Sequence, residues 1–102
     1  MLSNFRTYQI ACRLYRECES LKVPAHLRNQ LSRASSSVAL NLAEGWGRKT
    51  FADQRHYFTI AYGSAKETQA ILDLSGCATG AVMDLADHVA ASLYRLAYKA
   101  RP

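Results

Sequence analysis

The residues of this chain that could carry catalysis do not fall into the spacings that catalysis requires. A di-iron centre in a helical bundle uses Glu-x-x-His pairs on facing helices, whereas Glu17 and Glu67 are followed three residues later by serine and alanine. Helical ribonucleases of the HEPN type carry an arginine and a histidine closer together than Arg48 and His56, which seven residues separate. The Gly-Trp-Gly run at 45–47 lacks the pattern of a phosphate-binding loop. We therefore predict a protein that is not an enzyme and has no catalytic residues.

Metal binding is not expected either. Asp84 and His88 are one helical turn apart, so their side chains share a helix face. A protein metal site needs more ligands than one such pair supplies, and a surface ion pair is the commoner arrangement. Cys12, Cys18 and Cys77 show no Cys-x-x-Cys spacing and are interpreted as reduced, mostly buried thiols. The sequence thus predicts neither a metal site nor a cofactor.

A line of polar residues on one helix is the most distinctive pattern in the sequence. At about 100° per residue, this line lies beside the apolar face of the segment after Pro24, and Leu40 flanks it on the other side. Some of these polar groups should be half-buried, which charged groups tolerate only when they are paired and hydrogen-bonded. Small residues on the following helix would allow close approach. The members of this predicted network, which would fix the register of the helices, are Gln30, Arg33, Ser37, Asn41, Glu44, Gly63, Ser64 and Glu67.

Other interpretations of the same residues stay open. Arg33 or Arg48 could contact a ligand or a nucleic acid, and Glu44 or Glu67 could take part in catalysis. For Arg48, the sequence leaves open whether its partner is internal or a phosphate. Gly63 costs about 1 kcal/mol relative to alanine inside a helix, so a tight backbone crossing is expected at this position.

Four helical segments must position these residues. Breaks fall at Pro24, from Gly45 to Thr50, and from Ser75 to Gly80, and no segment between them alternates as a strand does. Pro24 suits the first turn of the second helix, and Gly45 and Gly47 are expected to end that helix. Thr50 and Thr79 are predicted to cap the third and fourth helices. The short connections favour an all-α fold, an antiparallel up-down four-helix bundle.

The first and third helices carry more apolar surface than the core of one bundle requires. A helix on the surface of a lone bundle needs one apolar stripe, and a second stripe indicates burial on a second side. The two stripes of the first helix are Phe5, Tyr8, Cys12 and Tyr15, and Ala11, Leu14, Cys18 and Leu21. Those of the third helix are Phe51, Phe58, Ala61, Ala65 and Leu72, and Ile60, Gly63, Ile71 and Leu74. A wide but purely internal face is the alternative; we favour a homo-oligomer.

Composition places the chain among globular, mildly basic proteins. Its 102 residues are 49% hydrophobic and carry a net charge of +5, with a pI near 9.4. This charge favours polyanionic partners such as nucleic acid, although many basic proteins bind none. The sequence contains no signal-peptide pattern and no apolar run long enough to cross a membrane. We expect a single domain over residues 1–102, located in the cytoplasm and without contact to a membrane.

Two stretches of the sequence, QLSRASSSVALNLAEGWGR and AYGSAKETQAIL, resemble the four helix bundle protein family. This family includes the proteins encoded in intervening sequences of bacterial 23S ribosomal RNA genes, and the accessory subunits of diversity-generating retroelements are relatives. The resemblance covers about residues 5–76, with leucine at position 42 where the family pattern has isoleucine. The matching residues are Gln30, Arg33, Ala34, Ser37, Asn41, Leu42, Ala43, Glu44, Gly45, Arg48, Gly63, Ser64 and Glu67.

The resemblance carries expectations about assembly and partners. It implies a four-helix bundle that assembles into a ring-like homopentamer, in agreement with the homo-oligomer favoured by the two apolar stripes. For the retroelement relatives it also implies a basic barrel that binds nucleic acid and a reverse transcriptase.

Two functions remain open for this chain. The first is a non-enzymatic nucleic-acid-binding or ribonucleoprotein accessory module, with RNA or DNA as its partner and Trp46 or Tyr57 stacking on bases. The second is a protein-interaction scaffold, a ring that holds a reverse transcriptase or another protein while its charge plays no part. Trp46 would then be an exposed anchor, or it would close one end of the core. The residues expected to contact phosphates are Arg13, Arg16, Arg28, Arg48, Lys49 and Arg55, with Arg6 and Arg33 as further candidates.

Overall fold

The chain folds into four helices. The computed structural model describes residues 1–99. The elements in chain order are a 3₁₀ turn (Leu2–Asn4), α1 (Arg6–Ser20), α2 (Ala25–Trp46), α3 (Phe51–Ser75), α4 (Gly80–Tyr94) and a π-helical turn (Arg95–Lys99) that continues α4. The described residues contain no strand. The prediction of an all-α four-helix bundle is therefore confirmed.

Contacts at the two ends of α1 show that α1 and α2 run antiparallel. Phe5, at the start of α1, stacks on Trp46, at the end of α2, with ring centroids 4.7 Å apart. Near the opposite ends, Ser32 Oγ donates to Glu19 Oε2 at 2.7 Å. Both α1 and α3 pack against α2 and α4, which closes a bundle of 40 × 22 × 22 Å.

Threonine caps set where α3 and α4 begin, as predicted. Thr50 Oγ1 accepts from the Asp53 N–H at 3.1 Å, and Thr79 Oγ1 accepts from the Val82 N–H at 3.3 Å. Each hydroxyl satisfies one of the backbone donors that the first turn of a helix leaves unpaired. Gly76 ends α3 in the left-handed region, with φ of 65°, where a side chain would be strained.

Gly45 does not end α2, contrary to the prediction. The helix continues to Trp46, and Gly45 is buried inside it. A Cβ at Gly45 would lie 2.6 Å from Phe58 Cε1 on α3, so the glycine is required because the Phe58 ring lies against the backbone of α2. Gly47 follows the helix end, as expected. Pro24 directly precedes α2 instead of standing in its first turn, and its fixed φ suits this position too.

The core takes one apolar stripe from each helix and leaves several large apolar side chains outside. Leu40 of α2 and Leu74 of α3 are 67% and 77% exposed, and Ile60 is exposed as well. A wide internal face therefore does not account for the second stripe of α3, of which only Ile71 is buried. The large side chains that are fully buried are Leu14, Leu31, Val38, Leu42, Leu72, Val89 and Leu93.

The three cysteines are free thiols in three different environments. Cys18 is buried, Cys12 is half-buried and Cys77 is exposed. The expectation of mostly buried thiols is therefore wrong for Cys77, which lies in the turn between α3 and α4. Burial raises the pKa of the Cys18 thiol to about 11, which keeps it protonated and unreactive at neutral pH.

Candidate nucleic-acid interface

Positive charge is concentrated at one end of the bundle. This basic end consists of residues 1–12, 36–62 and 90–99, which are the start of α1, the joint between α2 and α3, and the end of α4. It carries six lysines and arginines but only two carboxylates, a net charge of +4. The opposite half of the described chain, residues 13–35 and 63–89, carries six positive side chains (Lys and Arg) and six carboxylates, so its net charge is zero. The cations of the basic end are Arg6, Arg48, Lys49, Arg55, Arg95 and Lys99.

Arg48 has internal partners at the joint between α2 and α3. Its Nη2 donates to Glu44 Oε2 at 2.7 Å and to Tyr57 Oη at 2.9 Å. The guanidinium carbon also lies 4.6 Å from the centre of the Tyr57 ring. Both charged side chains of the ion pair remain partly exposed, so the pair contributes only about 0–1 kcal/mol. Arg48 is therefore oriented by the protein and still reaches solvent.

Three polar residues that the sequence placed in one network meet between α2 and α3. The hydroxyls of Ser37 and Ser64 are 2.8 Å apart, and Asn41 Nδ2 donates to the Ser37 carbonyl at 2.9 Å and to its Oγ at 3.0 Å. All three residues are half-buried. These bonds join the middle of α2 to the middle of α3, a position at which they fix the register of the two helices.

Other members of the predicted network lie on the outer surface of the same two helices. Gln30, Arg33 and Glu67 are exposed, and within residues 1–99 their side chains form no hydrogen bond or ion pair. Gly63 is also exposed, and no atom lies within 4 Å of a Cβ built there. The expected tight crossing at Gly63 is therefore wrong within the chain, because no helix of the bundle covers that side of α3.

Arg28 is fastened at the end of the bundle opposite the basic end. Its guanidinium donates to the Leu21 and Cys18 carbonyls at 3.0 and 3.1 Å, and to Glu19 Oε2 at 2.9 Å. Cys18 belongs to the last turn of α1 and Leu21 follows it, so Arg28 supplies a donor at the helix end, where carbonyls lack helical partners. The hydrogen bond from Ser32 is the main reason why the pKa of Glu19 lies below its usual value. Arg28 thus joins α1 to α2 and lies apart from the cations of the basic end.

Arg55 also makes a structural contact, but at the basic end. Its Nε donates to the Ala97 carbonyl at 2.6 Å, which connects α3 to the π-helical turn. Its guanidinium carbon lies 5.3 Å from the centre of the Phe51 ring. The side chain is half-buried, so Arg55 can support a surface at this end more readily than it can extend to a distant phosphate.

Arg6, Arg13, Arg16 and Lys49 are exposed and form no hydrogen bond or ion pair with residues 1–99. Arg13 and Arg16 lie on the outer face of α1 together with Arg6, and Lys49 lies in the turn that follows α2. At 1.5 Å of rise per residue, the three arginines extend over about 15 Å along the helix. The exposed row on α1 thus begins at the basic end and continues along the side of the bundle.

Trp46 completes the surface of the basic end. The indole is 42% exposed even though it stacks on Phe5, and Phe5 in turn lies 6.0 Å from the Phe58 ring. The tryptophan therefore closes the core with one face and meets solvent with the rest of its surface.

A second aromatic cluster, which the sequence patterns did not point to, lies between α3 and α4. The rings of Tyr62, Tyr94 and Tyr98 have centroids 5.1 to 5.8 Å apart. The four-residue spacing of Tyr94 and Tyr98 could have placed two of these rings on one helix face. Tyr62 comes from another helix, and only the packing of α3 against α4 brings it to them.

The family of the chain follows from a match that covers nearly all of it. Residues 4–97 match the family described as 23S rRNA-intervening sequence protein. The chain belongs to this family. The resemblance carried by the two sequence stretches is thereby confirmed, and the match also includes the fourth helix. A search of curated proteins finds no match.

In the part that the structure describes, the chain brings together no group of residues for metal chemistry. No three His, Cys, Asp or Glu side chains of residues 1–99 are grouped so that they could hold a metal ion. The same residues include no helix that is both long and apolar enough to span a bilayer.

Proposed function

We propose that this chain is a non-enzymatic nucleic-acid-binding module, an oligomeric bundle that serves as an accessory to RNA or to a ribonucleoprotein. The observation that carries the proposal is the basic end, with its net charge of +4 and two carboxylates. One of these carboxylates, Glu44, is already paired with Arg48. Lysine and arginine contacts to phosphates supply most of the affinity of sequence-independent nucleic-acid binding.

The residues assigned to phosphate contacts are those that are exposed at or beside the basic end. Lys49 is unpaired, and Arg48 is oriented by Glu44 and Tyr57 towards the same turn. The row on α1 that contains Arg13 and Arg16 extends this surface. Arg28 is left out because its two terminal nitrogens already donate to Leu21, Cys18 and Glu19 in the opposite half of the bundle. Trp46 supplies an exposed ring beside these cations, on which a base can stack.

The oligomer is proposed from the outer surface of α2 and α3. Leu40 and Ile60 are large apolar side chains exposed on this surface, where they cost free energy unless another chain covers them. Arg33 and Glu67 lie on the same surface with opposite charges and no partner within the described chain. A repeated contact between unlike patches forms a ring when the rotation from one chain to the next closes on itself, and a pentamer is favoured. Gly63 would then allow the close approach of a neighbouring chain.

The substitution Gly63→Ala separates an interface glycine from one that is merely exposed. Alanine stabilises an open helix position by roughly 0.5–1 kcal/mol, and nothing inside the chain opposes a Cβ here. In the proposed ring the same Cβ meets a neighbouring chain, so the assembly should weaken while each bundle becomes more stable. Gly80→Ala, at the start of α4, is the control because its Cβ also meets no atom within 4 Å.

The mass in solution is the measurement for this assembly. Sedimentation of the wild type should give a multiple of 11.4 kDa, which is about 57 kDa for five copies. Gly63→Ala and Ile60→Glu should shift this mass downward, whereas Gly80→Ala should not. A wild type that sediments as a monomer at micromolar concentration would refute the oligomer.

Nucleic-acid binding is tested by its dependence on salt. Affinity for an RNA or DNA oligonucleotide should fall steeply between 50 and 200 mM salt. Lys49→Gln should reduce the slope of that dependence by about 1, while Lys22→Gln, which removes the same charge from the opposite half of the bundle, should leave it unchanged. If the wild type binds neither RNA nor DNA at 50 mM salt, the nucleic-acid function is wrong and a protein-interaction scaffold takes its place.

A further inference from the structure

The cluster of Tyr62, Tyr94 and Tyr98 presents aromatic surface to solvent. The ring planes are inclined to each other by 60°, 89° and 45°, so no pair covers its faces by parallel stacking. Tyr94 and Tyr98 are 43% and 47% exposed. The hydroxyls of the three tyrosines form no hydrogen bond with any residue from 1 to 99. Ring faces and phenol groups are thus both available to a ligand.

The cluster borders a groove whose rim is positively charged. The groove has a volume of about 430 Å³, which is within the usual range for binding sites of small ligands. Its one carboxylate, Asp87, accepts from Gln69 Nε2 at 2.7 Å. Lys66 and Arg95 line the groove with Tyr62 and Tyr94. The closest contact of the Arg95 guanidinium within the described chain is a long one, 3.4 Å, to a serine hydroxyl.

The π-helical turn contributes Arg95 to the groove and Tyr98 to the cluster. Short π-helical turns are rare and often occur at functional sites. Here the turn is tied to α3 by the bond from Arg55 Nε to the Ala97 carbonyl. The Tyr98 ring and the Arg95 side chain are therefore held on a supported piece of backbone next to Tyr62.

The groove stays open in the proposed oligomer. At about 100° per residue, Tyr62 lies about 160° around α3 from Ile60, which belongs to the surface assigned to neighbouring chains. The aliphatic residues that line the groove are two alanines, Ala90 and Ala91. An apolar protein helix would find little to pack against there, whereas a flat, polar-edged ring would find aromatic faces and flanking cations.

We propose that this groove is a stacking site for the bases of single-stranded nucleic acid. The tyrosine rings receive the bases, and Lys66 and Arg95 contact the flanking phosphates, which is how strand-binding proteins combine aromatic rings with positive charge. In a duplex the bases are stacked on one another, so their faces cannot reach the groove. The inference rests on the proposed nucleic-acid function and specifies which form of nucleic acid is bound and where its bases lie.

The test compares two double variants on three probes. The variants are Tyr94→Ala/Tyr98→Ala and Tyr94→Phe/Tyr98→Phe, and the probes are roughly 12-nucleotide oligo(U), oligo(dT) and an RNA duplex of similar length. The alanine variant should bind the single strands on the order of 10-fold more weakly or worse, with an unchanged salt slope because no phosphate contact is lost. The phenylalanine variant should bind them as the wild type does, and duplex affinity should be equal for all three proteins. Lys66→Gln should reduce the single-strand salt slope by about 1.

Circular dichroism and sedimentation must first show that the variants keep the helical fold and the mass of the wild type. If the alanine variant then binds single strands as tightly as the wild type, or loses duplex and single-strand affinity equally, the stacking site is refuted while the proposed function stands. A wild type that binds none of the probes at 50 mM salt refutes both together. A loss of affinity confined to oligo(U) supports the site and identifies RNA as its ligand. Equal losses of affinity for oligo(U) and oligo(dT) support the site for single strands of either nucleic acid.

Discussion

Replacing Gly45 with alanine should destabilise the bundle, although alanine is the better helix former. The added Cβ would lie 2.6 Å from Phe58 Cε1, 2.9 Å from its Cδ1 and 3.2 Å from the Gln54 carbonyl oxygen, whereas non-bonded carbon atoms rest about 3.5–4.0 Å apart. The Phe58 ring cannot withdraw freely, because it is buried and lies 6.0 Å from Phe5, which itself stacks on Trp46. Either α2 and α3 separate or three aromatic rings move.

The size of the effect follows from two opposing contributions. Alanine gains about 0.8–1.0 kcal/mol over glycine in the interior of a helix. Overpacking of a filled core costs about 1–3 kcal/mol, and the short contacts at Gly45 indicate the upper part of that range. We expect a net loss of about 1–2 kcal/mol in the free energy of unfolding, equivalent to a decrease in Tm of roughly 5–15 °C for a chain of this size.

Chemical denaturation followed by circular dichroism, at one fixed protein concentration, measures this loss. Gly47→Ala is the matched control, because its nearest atom would be 3.7 Å away, and its stability should stay within about 0.5 kcal/mol of the wild type. Phe58→Leu makes room for the new Cβ. The loss of unfolding free energy in the double variant Gly45→Ala/Phe58→Leu should therefore be about 1 kcal/mol smaller than the sum of the losses in the two single variants. A Gly45→Ala protein as stable as the wild type, or strictly additive losses, would refute the steric explanation.

Smaller effects are expected at three other sites. Glu19→Gln should lower the free energy of unfolding by about 1 kcal/mol at pH 7. Because folding lowers the pKa of Glu19, this difference from the wild type should fade as the pH falls from about 4.3 through the folded pKa. Denaturation curves that show the same difference at pH 3 and pH 7 would contradict this prediction. Iodoacetamide should label the exposed Cys77 in the native protein and leave Cys18 unmodified. Mass spectrometry identifies the labelled cysteine, and labelling of Cys18 before Cys77 would contradict this prediction. Thr50→Ala should lower the free energy of unfolding by about 1 kcal/mol, because it removes the cap of α3. Its control, Thr59→Ala at an exposed position, should leave that free energy almost unchanged.

Features that depend on neighbours in the sequence could be predicted. The threonine caps of α3 and α4 act over three residues, so Thr50 and Thr79 could be identified without knowledge of the rest of the fold. The apolar periodicity likewise gave the number of helices and most of the core. Glu44 and Arg48 are four residues apart, a spacing that makes them natural partners, although the contribution of Tyr57 needs α3 in place.

Features that depend on contacts between helices could not be predicted. Gly45 and Gly63 are both glycines within helical segments, yet Gly45 faces a phenylalanine ring and Gly63 faces open space. Arg28 was expected to contact phosphates, but its partner Glu19 lies nine residues away on another helix. Tyr62 joins the other tyrosines only through the packing of α3 on α4. Contacts to other chains or to nucleic acid are harder still to predict, because they depend on molecules outside this sequence.

The single tryptophan gives the basic end an optical signal of its own. Trp46 is the only indole in the chain, it is stacked on Phe5, and a large part of it meets solvent. Its emission therefore responds to one location, where the start of α1 closes over the end of α2. Separation of that stack by local opening would change the fluorescence while circular dichroism still records four intact helices. A polyanion that docks on the neighbouring cations would alter the same emission, so the wild-type protein carries an intrinsic reporter at the surface assigned to its ligand.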